Sequence, residues 1–344
     1  MRAYVRSIEY HLPGNTLDNV RLALDYPEWT ADKITEKTGI AERRISGEGE
    51  CASDLAVEAA KRLFASGVCQ PQEVDFLLFC TQSPDYFLPT TACLIQDRLG
   101  LPTTCGALDY NLGCSGFVYG LSLAKGLVET GQARNVLLLM AETYSKFMHP
   151  QDKGTRTLFG DAASAILVSG VDGDKAQGDL IGPFVYGTDG RGGKNLMVEA
   201  GGMRKRHASD SAAAGVDEAG NFKSDSYLYM NGPEIFTFTL KAVPQSVRAV
   251  LERAQAAMED IDLFVFHQAN QYMLDHLRKK CKIPEEKFYL CMRHCGNTVS
   301  STIPIALKHA ELDGRLQLGM RVMLVGFGVG YSWGACLIRW KASR

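Results

Sequence analysis

The chain repeats itself, and that repeat constrains the fold more than any other feature. "VDFLLFC" from Val74 is echoed by "IDLFVFH" from Ile261, and "NVLLLMAE" from Asn135 by "RVMLVGFG" from Arg321. "GCSGFVYGLSLAKGL" from Gly113 is echoed by "GNTVSSTIPIALKHA" from Gly296, and "GDAASAILVSG" from Gly160 by "YSWGACLIRW" from Tyr331. Asp75 and Asp262 stand 187 positions apart, Cys114 and Asn297 183. Four echoes in one order at similar offsets predict two fused copies of one strand–helix unit. The halves are expected to span 1–175 and 176–344.

The apolar runs alternate with helical patterns such as "SDLAVEAAKRLFASG" from Ser53 and "TLKAVPQSVRAVLERAQAAM" from Thr239. Strands apolar on both faces belong in a sheet covered by helices on both sides, so the class is α/β. A polar stretch from about Arg204 to Asp225 reads either as a substrate-gating lid or as a plain insertion. With 344 residues, 46% of them apolar, the chain buries a large core without disulfides. A net charge of −2 gives no footprint for nucleic acid. The N-terminus lacks the apolar core of a signal peptide. No run reaches the roughly 18 apolar residues of a membrane span. The expectation is a soluble, cytoplasmic protein.

Ten cysteines are scattered, mostly in apolar runs. "CMRHC", Cys291 to Cys295, has metal-like spacing but no second ligand pair, and no metal is expected there. Cys114 differs. It follows the strand pattern "ALDYNL", lies between Gly113 and Gly116 in "GCSG", and precedes a helical pattern. A thiol at a helix N-terminus has its pKa lowered and backbone N–H groups at hand for an oxyanion. His267 ends the echoed strand, and Asn297 holds the repeat position of Cys114. Taken singly, each has a plain alternative: packing for Cys114, a structural role for His267, a helix cap for Asn297. A pseudo-two-fold would bring all three to one centre.

"GCSGF", "HQAN", "GNTVSSTIP" and "GFGVGYSWGA", with "EKTGIAERRI" and "FGDAASA", resemble the thiolase-fold condensing enzymes of the β-ketoacyl-[acyl-carrier-protein] synthase III type from end to end. The resemblance implies a five-layered αβαβα fold of two pseudo-two-fold halves, each a mixed sheet covered by helices. It implies that Cys114 is acylated by an acyl thioester. A malonyl thioester, on coenzyme A or on acyl carrier protein, then loses carbon dioxide, and its enolate attacks the acyl group. His267 Nε2 and the Asn297 amide would face the enolate oxygen; asparagine takes no proton, which suits a step driven by decarboxylation. A second oxyanion hole would use the backbone N–H of Cys114 and Val329. Glycine is usual at Val329, so a side chain there requires a negative φ.

The same resemblance assigns substrate or coenzyme A contacts to Lys33, Lys37, Lys153, Leu88, Phe236 and Phe327. Lys33 replaces an adenine-stacking tryptophan, and Lys37 and Lys153 replace arginines. Lysine keeps the charge and loses the flat stacking surface. That implies weaker coenzyme A binding or a carrier-borne donor. Leu88 replaces a length-limiting phenylalanine and implies a different or longer acyl group. Arg278, Lys279 and Lys280 read either as a solvated face or as a dock for acidic carrier protein, with Tyr272 where an arginine is usual. A homodimer is implied, with the loop Pro84 to Thr90 reaching the partner's pocket. The chemistry calls for no metal or organic cofactor. These departures point to a specialised pathway member. A non-decarboxylating acyltransferase acting on an alcohol or amine, and a silent partner subunit, are the competing readings.

Overall fold

The structure is a computed structural model that describes residues 1–172, 180–208, 215–216 and 222–340. The expected boundary at 175 and 176 lies outside the described residues, as does half of the polar stretch between 204 and 225.

Two mixed sheets carry the chain. The first has the order Arg2–His11, Ala162–Val171, Asn135–Glu142, Phe76–Cys80, Gly106–Tyr110. The second runs Ile181–Thr188, Ser332–Arg339, Arg321–Gly328, Leu263–Phe266. Phe76–Cys80 is parallel to Asn135–Glu142, and Leu263–Phe266 is parallel to Arg321–Gly328. The next two pairings outward are antiparallel in both sheets. Each sequence echo thus occupies the same place in its own sheet. The strand Gly106–Tyr110 has as its counterpart a single parallel bridge between Phe264 and Phe288.

The repeated aspartate has one task in both halves. Asp75 accepts the backbone N–H groups of Arg134 and Asn135 at 2.7 and 2.9 Å, and Asp262 accepts that of Arg321 at 2.8 Å. Each carboxylate thereby fixes the start of the central strand beside it.

Helices Gly116–Glu129 and Thr302–Leu312 lie between the sheets and touch both. Ala52–Ala65 and Thr91–Arg98 cover the outer face of the first sheet, and Gly232–Arg253 and Gln271–Lys280 that of the second. These are the five layers of the expected thiolase-like α/β fold. All eight residues of Asn135–Glu142 are buried, as a strand covered on both faces must be. Between the sheets, Leu121, Leu138, Ile303 and Leu324 share one core, and each such side chain contributes about 2 kcal/mol by burial. The C-terminal ends of the parallel strands meet the N-termini of the two central helices, and the site lies there. Among the described residues no helix is long and apolar enough to cross a membrane.

Candidate active site

The strand Gly106–Tyr110 leads into a turn closed by Gly116 N–H donating to Gly113 O at 2.8 Å. Cys114 sits inside that turn, two residues before the helix Gly116–Glu129. The flanking glycines are there for space. A Cβ on Gly113 would lie 2.5 Å from Gln82 Oε1 and 2.8 Å from Val329 Cγ1, and one on Gly116 would collide with Cys80 Sγ. From the other half, Gly328 comes so near that its Cβ would stand 2.9 Å from both Cβ and Sγ of Cys114.

Cys114 is buried in an apolar cluster with Tyr144, Met148, Phe159, Leu196, Leu228 and Val299. Burial raises its thiol pKa, Glu142 raises it further, and its own backbone N–H acts weakly the other way. The helix end, expected to favour the thiolate, is thus opposed by burial and by Glu142.

His267 extends the strand Leu263–Phe266, its N–H donating to Val325 O at 2.8 Å. Its ring is buried edge-on against Phe327, with centroids 5.5 Å apart, and Nδ1 lies 2.7 Å from Thr302 Oγ1. Burial lowers its pKa to about 3, so the imidazole is neutral. The rest of "HQAN" is scaffolding. Gln268 Nε2 donates to Phe266 O at 2.7 Å and Asn270 caps the helix Gln271–Lys280.

Asn297 is pinned by the first half. Its N–H donates to Leu158 O at 2.9 Å, and its carbonyl accepts Gly160 N–H at 3.0 Å. Val299 N–H donates to Asn297 Oδ1 at 3.0 Å, which leaves the amide NH₂ as the free end. Val299 has φ +54, a strained setting for a β-branched residue. Val299 also links the three: it shares the apolar cluster of Cys114, donates its N–H to the Asn297 amide oxygen, and accepts the hydroxyl of Thr302, whose Oγ1 in turn lies against His267 Nδ1.

Glu142 escaped the sequence reading. It ends the central strand Asn135–Glu142 with no exposure, and accepts Gln82 N–H at 3.0 Å, Ser83 Oγ–H at 3.2 Å and Ser300 Oγ–H at 3.1 Å. Burial pushes its carboxyl pKa up to about 8. The signal was a charged residue closing an otherwise apolar run, at the repeat position of Gly328.

Comparison with known proteins gives this geometry a family. The model for 3-oxoacyl-[acyl-carrier-protein] synthase III matches residues 108–190, and the model for its C-terminal part matches 251–340. A β-ketoacyl-[acyl-carrier-protein] synthase III of Caldanaerobacter subterraneus subsp. tengcongensis is 37% identical, over 96% of each chain. The chain belongs to the β-ketoacyl-[acyl-carrier-protein] synthase III family. A crystal structure of a 3-oxoacyl-(acyl-carrier-protein) synthase III superposes with TM-score 0.96 at 57% identity, covering 99% of this chain and 100% of that one. The priming β-ketosynthase of the R1128 polyketide biosynthetic pathway superposes with TM-score 0.85 at 26% identity, covering 100% and 97%. The chain is therefore a condensing acyltransferase of the thiolase fold.

The binding positions implied by the synthase III resemblance divide into those near the site and those away from it. Lys33, Lys37 and Lys153 converge, with Nζ atoms 5.6, 5.6 and 4.9 Å from the centre of one ring, that of Trp29. The flat ring that Lys33 lacks is thus supplied by Trp29, just before the helix Ala31–Thr38. Its signal was a tryptophan one helical turn ahead of Lys33. Trp29, Tyr26, Lys153 and Met230 line a cavity of about 520 Å³, and Met230 also packs on the Cys114 cluster. Lys153 is paired with Glu28 at 2.8 Å.

Val329 packs beside Cys114, and it is not among the positive-φ residues, so its side chain carries no backbone strain. Phe327 touches His267 and orients it. Phe236 stacks outward on Tyr272 and His276, while its neighbour Ile235 reaches the Cys114 cluster. Leu88 is 84% exposed and lies outside that cluster in its own chain. Arg278 is held locally by Glu285 at 3.1 Å, whereas Lys279 and Lys280 are exposed. Cys291 and Cys295 are free thiols, and among the described residues no three His, Cys, Asp or Glu side chains group as metal ligands.

Proposed function

We propose that Cys114 is the residue that carries the acyl group and that Asn297 and His267 handle the malonyl thioester. The observation that carries this reading is Val299, which lies in the Cys114 cluster, hydrogen-bonds the Asn297 side chain and is joined through Thr302 to His267. The sulfur attacks the acyl thioester, a near-neutral exchange of one thioester for another, and the tetrahedral oxygen is met by backbone N–H groups of Cys114 and Val329. A malonyl thioester then loses carbon dioxide. The free NH₂ of Asn297 faces the enolate oxygen, and the carbanion closes on the acyl carbon to give a β-ketoacyl thioester.

Coenzyme A enters as the acyl donor over Trp29, with the three lysines taking its phosphates. The ring offers stacking and the lysines charge, which restores the pairing that the sequence lacked at Lys33. Acyl carrier protein, bearing the malonyl group, docks on Lys279 and Lys280, with Arg278 contributing when it leaves Glu285. Two copies pair so that the exposed Phe87 and Leu88, 80% and 84% accessible in one chain, are covered by the partner. The enzyme acts in the cytoplasm, where its free thiols remain reduced.

Intact-mass measurement with a panel of acyl-CoA and acyl-carrier thioesters tests the first stage: an adduct is expected on the wild type and none on Cys114→Ala. Carbon dioxide release from malonyl thioester tests the second, and Asn297→Ala should acylate normally while losing at least about 10²-fold in condensation. Acyl transfer to an alcohol or amine without carbon dioxide release would establish the acyltransferase reading instead.

A further inference from the structure

Several arginines of this chain sit against a carboxylate. Arg98 pairs with Asp54, Arg156 with Asp25, Arg191 with Asp189 and Arg278 with Glu285. A group of three does not. Arg253, Arg321 and Arg339 line one cavity of about 290 Å³ with Gly182, Pro183 and Leu337, and its lining holds no acidic residue. Among the described residues, none of these three guanidinium groups lies in an ion pair.

The fold forces the three together. Arg321 opens its strand and faces Arg339 directly across the antiparallel pair, so both side chains leave the same face of the sheet. On that face Met323, Val325 and Leu337 pack in the core under the helix Gly232–Arg253. The helix ends at Arg253, where the apolar residues of both strands give way to arginine. Arg253 Nη1 donates to Phe184 O at 2.6 Å, which steadies the guanidinium and leaves its other N–H groups uncommitted. Asp262, the carboxylate that touches Arg321, accepts its backbone N–H at 2.8 Å and not its side chain. Like charges set directly opposite on two strands destabilise a sheet. A third positive charge at the same cavity adds to that cost, and an anion held between them removes it. The cavity is remote from Cys114. Gly328, which meets the sulfur, ends the strand that Arg321 opens, about 23 Å away along the chain.

We propose that Arg253, Arg321 and Arg339 form a second anion site that takes a diphosphate group. Guanidinium forks match phosphate oxygens two at a time. A single phosphate ester carries about −1.5 to −2 at neutral pH, too little for three arginines, whereas two joined phosphates balance them. Two strands and a helix end, not a loop, present the donors. The group arrives either as free pyrophosphate or as the diphosphate of a nucleotide.

Calorimetric titration of the full chain with inorganic pyrophosphate and with ADP, at fixed ionic strength, tests the site. The lysines around Trp29 also attract phosphate, so each titration is repeated on Arg321→Gln/Arg339→Gln and on Lys33→Gln/Lys37→Gln. Pyrophosphate affinity should fall at least about 10-fold in the arginine variant, while the lysine variant keeps the site. ADP that also weakens in the arginine variant identifies a nucleotide ligand; ADP that weakens only in the lysine variant identifies the free ion. At a hundredfold excess of pyrophosphate over Kd, the wild type should gain about 3–5 °C in Tm and the arginine variant close to none. Arg98→Gln, which removes a paired arginine, should keep both the affinity and the gain. Unchanged pyrophosphate affinity in the arginine variant overturns the proposal. A Tm gain reproduced by sodium chloride at matched ionic strength overturns it as well.

Discussion

Gly328→Ala tests how closely the two halves close on the sulfur. The added Cβ would stand 2.9 Å from both Cβ and Sγ of Cys114, where heavy atoms rest at about 3.5–4.0 Å. Relieving the overlap moves the thiol by roughly 0.6–1 Å, and overpacking of this kind costs about 1–3 kcal/mol. At about 2.1 cal/mol/K of unfolding entropy per residue, a chain of this size loses roughly 1–2 °C in Tm for each kcal/mol. The chemical effect is expected to exceed the thermal one, because a misplacement near 1 Å costs on the order of 10²-fold in rate. Calorimetry and the quenched acylation assay measure the two effects on the same sample. Gly326→Ala is the control of opposite balance. Its Cβ would meet Cys114 O and Ser115 Cα at 2.8 Å, backbone atoms that cannot rotate aside, so stability should fall further. A Gly328→Ala protein that acylates at the wild-type rate with unchanged Tm would refute the close approach on which the site geometry depends.

Glu142→Gln should alter the pH dependence of stability. The folded carboxyl titrates near 8 against an ordinary value of 4.5, so the folded state keeps a proton that the unfolded state releases. Its contribution is full below about pH 4.5 and is lost as pH rises through 8, roughly 3–5 kcal/mol across the window. Denaturant titrations from pH 5 to 9 should show a falling curve for the wild type and a flatter one for the variant; parallel curves would contradict this. Trp29→Ala should raise KM for acyl-CoA roughly 5- to 150-fold, the usual worth of stacking a base, and leave carrier-borne substrates unaffected. Equal losses for both donors would remove the nucleotide from Trp29.

The parts of this chain that were legible in its sequence are those carried by periodicity and repetition. The pairing of Phe76–Cys80 with Asn135–Glu142, and of Leu263–Phe266 with Arg321–Gly328, follows from echoed apolar runs each opened by an aspartate. The equivalent places of Cys114 and Asn297, just ahead of the two central helices, follow from the offset between the copies. What sequence does not carry is the sign of a balance. Cys114 sits by a helix end, which lowers a thiol's pKa, while burial and Glu142 raise it, and neither burial depth nor a through-space neighbour is readable along the chain. Trp29 is not legible by matching positions, because its surroundings are built by three lysines from two segments closing on one ring. Phe236 and Ile235 differ by a single helical step, 100° of rotation, which decides which one faces Cys114.

The repeat also explains why only one of two equivalent places holds a cysteine. The central strands end at Glu142 in one half and at Gly328 in the other, positions equivalent by the offset of the echoes. Gly328 has no side chain, and the room it leaves is filled by Cys114. Glu142 fills the matching room and binds Ser300 at 3.1 Å, close behind Asn297. The twin of His267 is Cys80, whose Sγ donates to Leu112 O at 3.0 Å and whose pKa burial raises well above the ordinary value. The first half therefore contributes Cys114 to the interface, and the second half contributes His267 and Asn297. Divergence at three pairs of positions makes the contributions of the two halves to this interface unequal. It follows that exchanging the end residues, with Glu142→Gly and Gly328→Glu together, places a carboxyl against Cys114, and acylation should fail even where the fold survives.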